Sequence, residues 1–289
     1  MPMDGVMLGF VARELDSVLR DGRVDRVIQP EKDELHLLIR AGGTNHRLVL
    51  SASANAARAH LSSHAKTGPM EPPMLCMLLR KYLCGGRVLS VRRIAGDRIL
   101  EIAISNLSEL GDPVTRTLVV EIMGRHSNII LCAADGRIID AARHVGQDIS
   151  RVRQIMPGLP YAYPPSQGKL DPDTATSAAI AASLTAAGGK LDKAIGASIA
   201  GFSPQAAREA AARIGLDGSS LIADIDVQQA ADALEAYLRT MPTLSPCVVT
   251  LDDTDAPTDV FPFPQTHLSM AHIQEFDSPS AALDAYFYE

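Results

Sequence analysis

The sequence has no tryptophan, and its six tyrosines and six phenylalanines hold aromatic content to 4%. So few rings exclude recognition of single-stranded nucleic acid by successive stacking platforms as the main binding mode. Cysteine is equally scarce: Cys76, Cys84, Cys132 and Cys247 are scattered among apolar neighbours with no CxxC pair. That pattern argues against a disulfide framework or a zinc site and predicts buried thiols in a reducing cytosol. No apolar run approaches the roughly 20 residues of a membrane span. The N-terminus has no apolar segment behind a basic start, so no secretory signal is expected. Phosphate-cradling loops are missing as well, since neither G-x-G-x-x-G nor G-x-x-x-x-G-K-[ST] occurs. There is no G-x-S-x-G elbow for a nucleophilic serine. His60 and His64 stand four apart without the HExxH carboxylate and read as a solvated surface pair. The prediction is therefore no catalytic residue, no metal and no cofactor.

What is present begins with an uneven charge. The net of −7 conceals 21 Lys and Arg against 17 Asp and Glu in residues 1–165, and 6 against 17 in residues 166–289. Nucleic-acid contact is plausible for the first part and disfavoured for the second.

Apolar residues at helical spacing predict a helix from Met7 to Leu19, closed by Asp21-Gly22. Strands follow at 26–29, 34–40 and 46–50, separated by turns too short for parallel crossovers. Residues 51–72 read as irregular, and Pro72-Pro73 opens a second helix from Met74 to Leu83. Two hairpins are predicted next, 87–94 with 98–104 and 115–122 with 128–132, then a strand at 137–140. Tyr161-Ala162-Tyr163-Pro164-Pro165 reads as a linker. Alanine-rich helices at roughly 172–187, 190–199, 204–214 and 228–240 come after it. Strands at 246–251 and 260–264 and a helix capped by Ser278-Pro279 complete the chain. The reading is α+β, with an antiparallel β-rich domain at 1–165 and a helical domain at 166–243. Residues 244–289 are expected to return to the first domain and begin a C-terminal helix.

The stretch Glu121-Ile122-Met123-Gly124-Arg125-His126-Ser127-Asn128 is more polar than a hairpin turn requires, and β-branched strands hold it at both ends. Arg125 suits a phosphate or base contact, His126 stacking and Asn128 a base edge, while Glu121 would orient Arg125. His126 and Ser127 are adjacent and cannot pair with each other catalytically. Asp97-Arg98 lies at the tip of the neighbouring hairpin, readable as turn chemistry with a surface ion pair or as a base-reading pair. The stretch Ile199 to Arg208 resembles a helix-hairpin-helix turn with Ser203 in place of the second glycine.

Taken together, Phe10 to Leu19, Ile28-Gln29-Pro30, Glu71 to Lys81, Gly96-Asp97-Arg98 and Glu121 to Asn128 resemble the NFACT N-terminal domain. Pro157 to Tyr161, the helix-hairpin-helix-like block and Phe261-Pro262-Phe263-Pro264 extend the likeness to nearly the whole chain. That family includes fibronectin-binding protein A-like proteins and RqcH-type ribosome quality-control factors. The resemblance implies a cytoplasmic adaptor that binds tRNA, alanyl-tRNA in bacteria, and the large ribosomal subunit carrying peptidyl-tRNA. Untemplated C-terminal tailing of stalled chains would then use the ribosome's own peptidyl transfer. The family name adds fibronectin as a further partner, and a surface adhesin as an alternative role. The implied tRNA-binding residues are Asp97, Arg98, Glu121, Met123, Gly124 and Arg125, with His126, Ser127 and Asn128 beside them. The first domain is also expected to resemble the N-terminal domain of formamidopyrimidine-DNA glycosylase, which makes a glycosylase the other alternative. Those enzymes use an N-terminal proline followed by glutamate, whereas this chain has Pro2, Met3 and Asp4. Members continue into a coiled coil and a further domain, so the resemblance implies an N-terminal fragment or a truncated protein.

Overall fold

The structure is a computed structural model describing residues 3–268 and 272–288; Pro2, singled out above, lies outside them. Helix α1 (Gly5–Leu19) starts where the Asp4 carboxylate accepts the Met7 N–H at 2.9 Å. It therefore begins two residues before the apolar pattern suggests, because residues 5 to 12 are all buried. A helix apolar on every side has to be covered on every side.

Nine antiparallel strands form the main sheet: β1 (Arg23–Glu31), β2 (Glu34–Ala41), β3 (Thr44–Ser51), β4 (Arg58–Leu61), β5 (Arg87–Arg93), β6 (Ile99–Leu107), β7 (Pro113–Glu121), β8 (Asn128–Cys132) and β9 (Ile138–Ala141). Their order, β4-β3-β2-β1-β5-β6-β7-β8-β9, is two meanders joined where Arg23 meets Arg87. Helix α2 (Met74–Leu83) links the meanders and docks on β1, where Arg80 Nε donates to the Val27 carbonyl at 2.9 Å.

Four helices follow β9 in the chain: α3 (Ser177–Ala187), α4 (Leu191–Ser198), α5 (Pro204–Arg213) and α6 (Val227–Thr240). A second sheet, ordered β11-β10-β12, contains β10 (Cys247–Leu251), β11 (Pro257–Phe261) and β12 (Ile273–Phe276). Helix α7 (Pro279–Tyr288) ends the described chain. The last strands thus form a sheet of their own, although Val249 and Val260 pack into the core of the nine-stranded sheet.

Two expectations are corrected by packing. Residues 51–72 contain β4, an edge strand of four residues that α7 covers. His60 on β4 is fully buried rather than solvated, and Nε2 hydrogen-bonds Asp284 Oδ1 of α7 at 3.1 Å. Three of the four free cysteines are buried, and Cys84 is partly so.

Candidate nucleic-acid interface

Strands β7 and β8 end in register at Glu121 and Asn128, so the six residues between them form a closed loop at one end of the sheet. Ile122 is buried and its N–H donates to the Arg98 carbonyl at 2.9 Å, which ties this loop to the β5–β6 hairpin. A single 3₁₀ turn, Gly124–His126, then reverses the chain. Gly124 has φ +57°, a left-handed conformation that glycine adopts without the Cβ penalty. The Ser127 hydroxyl accepts the Met123 N–H at 2.8 Å and closes the turn from inside.

The buried Asn128 clamps a neighbouring segment: its Oδ1 accepts the Arg143 N–H at 3.0 Å and its Nδ2 donates to the Arg143 carbonyl at 2.8 Å. Ser127 and Asn128 are therefore occupied in shaping the loop. Arg125 and His126 face solvent, with Arg125 Nε donating to His126 Nε2 at 3.0 Å.

Glu121 does not orient Arg125. Its carboxylate is 1% exposed and accepts both terminal nitrogens of Arg153, together with the Tyr161 hydroxyl at 2.8 Å. Burial and the Glu121 charge push the Tyr161 phenol far above its ordinary value. Burial acts to lower the Arg153 pKa, and Glu121 outweighs it, leaving the guanidinium raised. The segment from 153 to 163 is thus fastened to the sheet end. A second carboxylate, Glu101, accepts the Tyr163 hydroxyl in the same way.

The tip of the β5–β6 hairpin carries Ala95 at φ +48° and Gly96 at φ +70°. Asp97 Oδ1 accepts the Arg98 N–H at 2.7 Å. A Cβ on Gly96 would stand 2.2 Å from Pro172 Cδ, so this tip is pressed against the chain leading to α3.

Arg98, Glu121, Met123, Arg125, His126, Ser127 and Asn128 come together around one cavity of about 620 Å³. Asp97 lines a neighbouring cavity of about 390 Å³ that shares the Pro164 wall. Gly124 lines neither. Sequence reasoning missed Arg143, His144 and Arg153 in the wall of the larger cavity, and Ile149 and Val152, 68% and 80% exposed, at its edge. Arg143 Nη1 donates to the Arg125 carbonyl at 2.9 Å and Nη2 to the Ala52 carbonyl at 2.9 Å, bracing the loop against the first meander. The sequence carried no signal for Arg153: an acid that ends a strand needs a cation when buried, but nothing local says that the cation comes from a segment 32 residues later.

Four arginines and two histidines therefore surround this cavity, and its single lining carboxylate, Glu121, is already paired. Such a wall suits phosphate oxygens and the acceptor edges of bases. Among the described residues, no group of three His, Cys, Asp or Glu is placed to hold a metal ion.

The family model described as NFACT N-terminal and middle domains matches residues 4–289. The chain belongs to the NFACT family. One NFACT relative, the Rqc2 homolog RqcH of Bacillus subtilis, is 36% identical over 289 residues, covering 100% of this chain and 49% of that protein. The Rqc2 homolog RqcH of Streptococcus suis is 41% identical over 175 residues, 60% of this chain and 32% of that one. This NFACT chain thus spans about half the length of the Bacillus relative or less of the others. Two solved structures share its fold. The N-terminal part of the fibronectin/fibrinogen-binding protein of Streptococcus suis has a TM-score of 0.81 at 31% identity, covering 98% of each chain. The fibrinogen-binding protein of Staphylococcus aureus has a TM-score of 0.83 at 28% identity, covering 100% of each.

Proposed function

We propose that this chain is the tRNA-gripping part of a ribosome quality-control factor, acting in the cytoplasm on the large ribosomal subunit. It positions tRNA, alanyl-tRNA by family likeness, for untemplated tailing of a stalled nascent chain. The observation that carries the proposal is the arginine- and histidine-lined cavity where the two polar hairpin loops meet. RqcH relatives at 36% and 41% identity support the setting. The part is an adaptor: it holds the tRNA, and the ribosome supplies the bond-making step. Arg98, Arg125 and His126 are the candidate contacts, and Glu121, Gly124, Ser127 and Asn128 shape the loop. Within this proposal, residues 1–165 form a domain like that of formamidopyrimidine-DNA glycosylase, 166–243 a helix-hairpin-helix-like domain, and 244–289 the return.

The test is a binding titration of labelled tRNA with the Asp97→Ala/Arg98→Ala variant. Loss of a bidentate cation contact is expected to weaken binding by about 1–3 kcal/mol, roughly five- to 150-fold. Wild-type affinity and selectivity would overturn the assignment. A second reading, binding of fibronectin or fibrinogen, is favoured by the names of the two structural neighbours. Surface plasmon resonance against immobilised fibronectin separates the two, since the double variant should leave such binding unchanged. A glycosylase role finds less support, because Met3 is buried and the Asp4 carboxylate is engaged in capping α1.

A further inference from the structure

A third cleft, between α1 and β5, collects three arginines. Its volume is about 160 Å³, and Gly9, Arg13, Asp16, Arg92, Arg93 and Asp173 line it. Arg93 is the buried member, its side chain 5% exposed. Nη1 donates to the Gly5 carbonyl at 2.7 Å and Nη2 to Asp173 Oδ2 at 2.8 Å. Its Nε is buried with no acceptor among the described residues. The guanidinium lies against α1 because residue 9 is glycine: a Cβ there would stand 2.8 Å from Nη1 and 3.1 Å from Cζ.

Arg13 stands one helical turn beyond Gly9, its guanidinium 4.6 Å from the Phe10 ring centroid. No hydrogen-bond acceptor meets it among the described residues. Partial burial, then the neighbouring Arg93 charge, lower its pKa, and Asp173 opposes them only in part. The other charged groups are engaged elsewhere. Asp16 accepts the Val91 N–H at 2.8 Å and Arg20 at 2.6 Å, while Arg92 donates to Glu101 at 3.0 Å.

A buried guanidinium whose Nε–H is unanswered, beside a second with no acceptor, is one half of an oxyanion site. We propose that Arg13 and Arg93 bind a phosphate group, supplied in the working protein by a phosphodiester of the bound RNA. The site stands on its own geometry; the choice of RNA as its source rests on the tRNA reading above. The connection is the hairpin itself, since Arg93 ends β5 and Asp97 and Arg98 follow across its tip. A strand laid along that hairpin presents phosphates to both places.

Two measurements test the site. In the first, labelled tRNA is titrated over a salt series with wild type, Arg13→Ala and Arg13→Lys. Arg13→Ala is expected to weaken binding about three- to tenfold whatever the tRNA sequence, and to flatten the slope of log K against log salt by about 0.7–0.9. Arg13→Lys keeps the charge and so keeps the slope, while losing the planar fork. In the second, ¹⁵N spectra of the arginine Nε–H groups are followed as inorganic phosphate is added. The Arg93 signal should move in wild type and stay still in Arg13→Ala and in Gly9→Ala. An unchanged slope in Arg13→Ala overturns RNA as the source, and a phosphate-insensitive Arg93 overturns the site. Wild type that ignores tRNA but shifts with phosphate defeats the tRNA reading and leaves the anion site standing.

Discussion

A carboxylate that is 1% exposed and a guanidinium in open solvent share one loop, as Glu121 and Arg125, and their substitutions should separate cleanly. Glu121→Ala leaves Arg153, itself only 15% exposed, without its paired carboxylate. Removing one partner of a buried pair costs on the order of 3 kcal/mol. Arg125→Ala touches no buried group and should change stability by less than about 0.5 kcal/mol. Urea unfolding reads both effects, and tRNA titration of Arg125→Ala should show weakened binding at unchanged stability. A Glu121→Ala variant as stable as wild type would show that the pair does not hold the 153–163 segment. The loop's outward residues and its glycine were legible in sequence, because a hairpin turn rarely needs such polarity. Its anchors were not. Arg143 and Arg153 lie in segments without regular structure, where no periodicity tells which way a side chain turns, and only the fold brings them to Glu121 and Asn128.

At the scale of elements, the seam between β4 and α7 is the part the sequence disguised most. Arg58-Ala59-His60-Leu61 alternates over only four residues and has no β-branched or aromatic side chain to announce a strand, and its polar side chains are buried by a helix more than 200 residues later. β12, four residues of mixed character, was hidden for the same reason. The longer strands and the helices declared themselves through period and caps, with α2 legible to its ends. The disguised seam also makes the fold acid-sensitive. Burial works to raise the Glu34 pKa, but His36, Lys66 and Arg58 outweigh it and hold the carboxyl at about 2. Burial likewise opposes ionisation of Asp284, and His60 with Ser62 and Ser63 keeps it well below the usual carboxylate range. Burial also lowers the pKa of His60 itself. In each case the unfolded chain binds the proton more readily, so stability falls as pH drops. The His60 contribution fades first, below its ordinary value of 6.5, and the carboxylates follow below about 4.5, toward 2 for Glu34. Urea midpoints measured from pH 7 to pH 3 should decline through both windows. Glu34→Gln should lower the midpoint at pH 7 and flatten the acidic part, and an undiminished slope in that variant would remove Glu34 from the explanation.

For the whole molecule, α1 is the shared member of two cores. Met7, Leu8, Val11, Leu15 and Leu19 pack into the core of the nine-stranded sheet. Val6 and Phe10, one turn apart on another face, pack into the core of helices α3 to α6, where the Phe10 ring lies 5.7 Å from Phe263. Sequence alone showed an apolar-patterned helix at the start and that charge divided the chain in two, but not that one helix joined the halves. A backbone junction reinforces the join: Gly5 N–H donates to the Gly201 carbonyl at 2.8 Å, and a Cβ on Gly201 would stand 2.1 Å from the Gly96 carbonyl oxygen. The hairpin tip bearing Asp97 and Arg98 is therefore positioned by contact with both halves. Phe10→Ala removes a ring that is 7% exposed from the helical core while leaving every sheet-facing residue of α1 in place. A loss of about 3–5 kcal/mol is expected, concentrated on one side. Hydrogen exchange of the variant should show α3 to α6 opening at lower free energy than β5 to β8, whereas wild type opens both together. An equal loss of protection across both regions would mean that the two cores fold as one unit irrespective of this contact.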